Sequence, residues 1–408
     1  MFRAARREPF PYADPWQAPL DERLAALAAR RRRIAYFYER PDTSTFRYRA
    51  FNMVEALRAE PSLDVSASWF HWGDLDKMDR FVDRADVLVV CRTRYDAAVA
   101  RMLARARARG VPLLFDVDDL VFDTRHVHLL LDTLDQDTGS SGVWDDWFAS
   151  VGRLGATLRL CDGAITTNAF LARQIEAAAP GLRARVVPNF LNREQQALSR
   201  TLFEAKRASE YERDGRLHIG YFSGSPTHNR DFAVAEAALA RLLDRDPRLV
   251  LRLVGFLEPR GALLRHLDRV ERHPLQDFLN LQRLIAEVEV SVAPLQDNVF
   301  TNSKSELKHF EAAACGTLSV ATPTYTFRNA IRDGETGFLA RAHEWEEKLA
   351  AALAVVDDRE RYGAMVERSF RETEAGYGWD RQARRIEAAV FGGGAQGAEA
   401  RPAAAAAE

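Results

Sequence analysis

The chain has 408 residues, 47% of them hydrophobic, and 57 Lys plus Arg stand against 59 Asp plus Glu for a net charge of −2. That length suffices for two ordinary domains with packed cores, and the near-neutral balance gives no reason to expect nucleic acid as a partner. Three cysteines (Cys91, Cys161, Cys315) stand far apart beside apolar runs, so buried reduced thiols are expected rather than a disulfide framework or a zinc site. No apolar run approaches the roughly 20 residues that span a bilayer, and no signal-peptide core opens the chain. A soluble, cytoplasmic protein is expected.

Residues 1–32 read as a basic extension. Across it and the next position, eight arginines face only Glu8, Asp14, Asp21 and Glu22. Peripheral contact with an anionic inner membrane face is one reading; a packed or disordered arm is the other, and is favoured. From Arg33 the chain alternates strands and helices, as a parallel sheet requires. RIAYFYE, ADVLVVC, VPLLFDV, GAITTN and ARVVPN are the predicted strands of a first domain over 33–195. The helix after ADVLVVC ends at Gly110. Residues 193–215 lack strand character and read as an interdomain helix and linker. The linker over 196–215 opens a second domain spanning 196–375. There LHIGYFSG, LVLRLVG, EVSVAPL and TLSVAT are predicted strands. An amphipathic helix over 376–391 follows, and 392–408 is low-complexity and predicted disordered.

Four stretches can carry chemistry. The loop after the first strand holds Arg47 and Arg49 at alternate positions, either able to reach a cleft or simply to face solvent. FDVDDLVFD ends a strand at Asp116 and places Asp118 and Asp119 in a loop. Three readings stand for it: a metal-bound diphosphate, a phosphatase nucleophile at Asp116 with Asp118 as acid/base, or a cleft loop touching sugar hydroxyls. The cleft loop is favoured, because Asp119-Leu120 replaces the Gly-Thr that the phosphatase motif expects. Trp144 and Trp147 can form a sugar platform, but their i, i+3 spacing fits core better.

The third stretch, GYFSGSPTHNRDF, runs a strand into Ser223, Gly224 and Ser225, with Thr227 as a predicted N-cap. Gly224 permits close backbone approach, and free amides with His228 and Arg230 can hold phosphate. The fourth, residues 302–317, reads as a helix with Ser303 and Glu306 as a capping box and Gly316 as its C-terminal stop. Lys304, Lys308 and Glu311 then fall at i, i+4 and i+7 on one face. Two ammonium groups would seat a diphosphate, and the carboxylate would be free for sugar hydroxyls. A solvated charged face is the plainer reading of KxxxK alone, but the flanking strands favour a site at the strand ends.

EAAACGTLSVAT with the following DGETGFL resembles the donor-binding core of group 1 (family 4) glycosyltransferases. The resemblance covers most of 33–391, closely around 294–340 and loosely in the first domain. It implies a GT-B α/β fold: two Rossmann-like domains facing a cleft, with the last helix crossing back onto the first. The family has two glutamates eight positions apart. Glu311 matches the second, while Ser303 stands at the first, as in a divergent branch with Asn, Ser and Lys there. By position, Ser225 and Arg230 fall where the family has two pyrophosphate-binding cations, and Asp118 and Asp119 where it has His-Asp.

The resemblance implies a metal-independent enzyme without cofactor, moving a sugar from a nucleotide-diphosphate donor to a glycan or lipid-linked acceptor with retention, in surface polysaccharide assembly. Glu311 would hold the ribose, Lys304, Arg230 and His228 the leaving group, and Asn302 and Ser303 the sugar. The missing glutamate motivates an alternative, a catalytically inactive nucleotide- or glycan-binding protein. A phosphatase or GT-A-type metal enzyme ranks last, since it leaves 302–317 unexplained.

Overall fold

The computed structural model describes residues 1–224 and 229–392. It contains two six-stranded parallel sheets. The first is β1 (Arg32–Tyr38), β2 (Val65–His71), β3 (Val87–Cys91), β4 (Leu113–Val117), β5 (Gly163–Thr166) and β6 (Ala184–Val186), in the order β2-β1-β3-β4-β5-β6. The second is β7 (Leu217–Phe222), β8 (Leu249–Val254), β9 (Val270–His273), β10 (Val290–Ala293), β11 (Leu318–Ala321) and β12 (Phe338–Leu339), ordered β12-β11-β10-β7-β8-β9. Their central strands are buried runs of Val, Leu and Ile, as parallel sheets covered on both faces demand. Two separate apolar cores result. The predicted strands are present. The additional strands β2, β9 and β12 lie at or beside sheet edges. β9 is Val-Glu-Arg-His, charged as an edge strand is and so without an apolar signature.

Local chemistry sets the helix ends. Asp96 accepts from the Ala98 and Val99 amides to start Ala97–Ala108, and Gly110 follows with φ +69°. The long helix Arg193–Ala208, capped by Asn192, connects the sheets and packs on the Phe278–Glu287 helix. The last helix, Ala383–Phe391, begins later than expected. It places Ala383, Ile386, Ala389 and Val390 in the first domain's core, so the chain does cross back. The predicted disorder of the tail falls outside the described residues from 393 onward.

The N-terminal arm is packed along both domains. The Phe2 amide donates to the Glu287 carbonyl at 3.0 Å, and Trp16 packs edge-on against Phe46 and Phe51. Its arginines are largely engaged. Arg23 is buried in a bidentate pair with Asp74 at 2.6 and 2.9 Å, and Arg30 donates to the Glu60 and Leu63 carbonyls. Among the described residues no helix is long and apolar enough to cross a membrane. All three cysteines are unpaired, and Cys91 and Cys315 are buried.

Gly316 lies at φ +61°, where an added Cβ would stand 2.5 Å from the Phe203 ring. The buried Lys206 ammonium donates to the carbonyls of Cys315 and Gly316 at 3.0 and 2.6 Å, fastening this helix end to the interdomain helix. Gly316→Ala therefore combines a left-handed alanine with a ring clash and should cost roughly 1–3 kcal/mol. Urea denaturation reads this, and an unchanged midpoint would mean that the Phe203 ring simply moves aside.

Candidate active site

Residues 302–317 fold differently from the single capped helix expected. Asn298, not Ser303, caps a short turn over Val299–Asn302, accepting from the Thr301 amide at 2.9 Å. The helix that carries Lys308 and Glu311 begins only at Leu307 and runs to Ala314, without a side-chain cap. Ser303 is buried and its hydroxyl donates to the Val299 carbonyl. Glu306, rather than capping, is buried and accepts from the Tyr377 hydroxyl at 2.6 Å. Burial raises its carboxyl above the usual range. The backbone preferred to close two short turns because the hydroxyls of Thr301 and Ser303 bond back to carbonyls.

The expected single face of Lys304, Lys308 and Glu311 is thus reduced to Lys308 and Glu311, three residues apart on one helix. Lys304 projects from the preceding loop. Asn302 spends its side chain on Asp297, the Asn298 carbonyl and the Tyr325 amide. Neither Asn302 nor Ser303 replaces the absent glutamate in free carboxylate-like function.

Lys308 reaches the carbonyl of Phe222 at the end of β7, directly before Ser223 and Gly224. Burial pushes its ammonium down to about 8. Among the described residues nothing lies within 4 Å of where a Gly224 Cβ would stand. Ser225, the Thr227 cap and His228 lie outside the described residues. Glu311, expected free, is instead nearly buried and receives the Tyr48 hydroxyl at 2.5 Å.

The first domain supplies the opposite wall. Asp118 accepts from Thr45 at 3.0 Å and from Arg92 at 3.1 Å, and Asp119 lies 3.6 Å from Lys304. Arg92 closes β3 with φ +38°, a conformation a non-glycine residue adopts only when its surroundings enforce it. Sequence reading missed it, although an arginine directly after a buried parallel strand sits where ligands are met. Arg230 bonds Asp132 and pairs with Asp135 across the cleft, so its charge is already engaged. Trp144 and Trp147 pack partly buried against an apolar cluster that includes Phe122, Val127 and Leu154, as the core reading expected.

Arg47 and Arg49 were expected as cleft residues and neither is exposed there. They belong to a five-residue π-helical turn, Arg47–Phe51. Arg49 is fully buried and grips Asp116 through two bonds of 2.7 and 2.9 Å, and also binds the Val187 carbonyl and Asn189. Arg47 donates to the Thr43 carbonyl and to Gln195. Asp116, clamped and buried, is not placed as a nucleophile, which removes the main support for the phosphatase reading. Among the described residues no group of three or more His, Cys, Asp or Glu could hold a metal ion.

Two facing Rossmann-like sheets with cations and a carboxylate on the second strand ends define the GT-B class. Residues 217–358 match the family model described as glycosyl transferases group 1. A D-inositol 3-phosphate glycosyltransferase of Nocardia farcinica is 33% identical over 152 residues, 35% of this chain and 33% of that protein. One from Rhodococcus jostii is 30% identical over 156 residues, 36% and 34% of the two chains. The match thus spans about a third of these relatives' length.

Among solved structures, a glycosyltransferase from Rickettsia africae superposes with a TM-score of 0.60 at 10% identity, covering 88% of this chain and 99% of that one. Anabaena HepE in complex with UDP and glucose gives 0.58 at 12%, covering 87% and 98%. The fold is therefore shared along nearly the whole chain.

Because the Arg49–Asp116 pair is buried and bidentate, Asp116→Asn should destabilise the protein by on the order of 3–5 kcal/mol, leaving a guanidinium unpaired. Chemical denaturation checks this. Lost activity with stability intact would restore Asp116 as a reacting group.

Proposed function

We propose that this protein is a nucleotide-sugar-dependent glycosyltransferase whose acceptor is a glycan or lipid-linked sugar. The observation that carries this reading is Lys308 and Glu311 on one short helix, with Lys308 bonded to the strand end that leads into the Gly224 turn, inside the segment that matches the group 1 family. A diphosphate seated at that turn would take Lys308's proton-bearing nitrogen in exchange for the Phe222 carbonyl. Lys304 and Arg230 would neutralise charge as the sugar leaves, the electrostatic stabilisation that most lowers such barriers. Glu311 would accept from the ribose hydroxyls, and Asp118 would orient the acceptor. Anabaena HepE, which is known with UDP and UDP-glucose, makes a hexose on UDP the first donor to try. Retention of configuration, metal independence and a role in surface polysaccharide assembly at the inner membrane face belong to the same proposal.

One observation favours a second reading, a nucleotide-binding protein without turnover. Ser303, at the first glutamate's position, is buried and brings no carboxylate to the cleft. Sugar release from any donor excludes it.

A thermal-shift screen against UDP, GDP, dTDP and their sugars, with and without EDTA, tests the proposal. One nucleotide should raise the melting temperature regardless of EDTA, and Glu311→Ala should abolish the shift. A flat screen would refute donor binding. Lys304→Ala should lose at least about 100-fold in kcat with the fold intact, the scale of one lost charge stabiliser; wild-type rates would refute its role.

The pH dependence follows from Lys308. Its ammonium is charged below about 8 and neutral above, so nucleotide affinity should hold at pH 7 and fall as pH rises through 8. Titration calorimetry should show this slope in the wild type and not in Lys308→Met.

A further inference from the structure

The carboxylate of Glu311 is bonded lopsidedly. Tyr48 donates to Oε1 at 2.5 Å, Gln195 Nε2 donates to the same oxygen at 3.1 Å, and Arg47 Nη2 lies 3.6 Å from it. Among the described residues no hydrogen bond falls on Oε2, and Oε2 is not one of the buried polar atoms left without a partner. One oxygen is saturated from outside its own domain while the other is kept available.

Tyr48 is itself tightly held. The Arg47 guanidinium stacks over its ring at 4.0 Å, and Phe310 meets it edge-on at 6.3 Å. The next residue, Arg49, is clamped to Asp116 at the end of β4. Burial raises the Tyr48 phenol above its usual range, so it stays protonated and can only donate to a carboxylate. A charge-assisted bond of this length fixes the orientation of its acceptor.

We propose that Tyr48 is a positioning residue of the donor site: by holding Oε1 of Glu311 it leaves Oε2 as the acceptor for the hydroxyls of the donor ribose. This rests on the transferase reading above and adds the first domain to the donor site. Glu311 is oriented only when the two domains are closed on each other, so donor affinity reports closure. Gln195, on the interdomain helix, supplies the second bond and Arg47 the nearby charge.

The test is Tyr48→Phe, which removes one hydroxyl and keeps the ring packing. Calorimetry would use the nucleoside diphosphate that binds the wild type and its 2′,3′-dideoxy analogue. The variant should bind the ribonucleotide about tenfold more weakly, the factor one charge-assisted bond supplies. It should bind the dideoxy analogue as the wild type does, because no ribose hydroxyl then meets Oε2. Equal weakening for both ligands would show a merely structural role and overturn the proposal. Unchanged or tighter binding of the ribonucleotide would overturn it too, the latter by showing that Tyr48 competes with the ribose. Glu311→Ala separates the levels: if it also leaves affinity unchanged, the donor-site reading fails. If it loses affinity while Tyr48→Phe does not, only the positioning role fails. Should no nucleotide bind the wild type, both fall together.

Discussion

The π-helical turn Arg47–Phe51 is the constraint on which the two domains' relation depends. Its three consecutive polar side chains, Arg47, Tyr48 and Arg49, point in different directions. Arg49 points back into the first sheet and is neutralised by Asp116, a buried ion whose exposure to an apolar core alone would be prohibitive. Tyr48 and Arg47 go the other way, to Glu311 and Gln195. The strong intradomain clamp makes the weaker interdomain contacts geometrically definite.

Charge across the cleft follows the same logic. Two cations of the second domain meet carboxylates of the first: Lys304 meets Asp119, and Arg230 meets Asp132 and Asp135. The Arg230 pairs are half-exposed, and such pairs contribute only about 0–1 kcal/mol each. They hold the closed arrangement lightly, and any dianion bound there exchanges with them at small cost. Neutral bonds between the domains, Asn168 to the Ser303 carbonyl and Asn189 to Ser305, keep the 303–305 loop in register independently of those charges.

The buried polar groups divide into those that build and those left for a ligand. Lys206, Arg49 and His309, the last held neutral by burial with its pKa down to about 4, each close a structural junction. Lys308 differs: it donates to the strand-end Phe222 carbonyl and lies 5.1 Å from the Tyr221 ring centroid, so its ammonium can redirect a hydrogen bond to an incoming anion.

Most strands and the parallel α/β class were legible because buried parallel strands announce themselves as continuous apolar runs, and Gly110 and Gly316 mark helix ends by their own backbone. Lys308 and Gly224 were named from local pattern, and Glu311 from pattern and resemblance together. The short edge strands were not, since an edge strand needs no apolar signature. The capping box at Ser303 was locally sound and still lost, because Asn298 offered an earlier cap and the serine hydroxyl turned to a carbonyl. Arg47, Arg49 and Asp116 could be named from the sequence but not assigned. Their partners lie 67 to 148 residues away, and Tyr48 and Glu311 are 263 apart. Sequence alone therefore determined most of the elements and named residue types that could hold a diphosphate, because periodicity and turns are short-range. Only the tertiary structure decided which charges are spent on the fold and which remain for a ligand, because burial and pairing arise when distant segments meet.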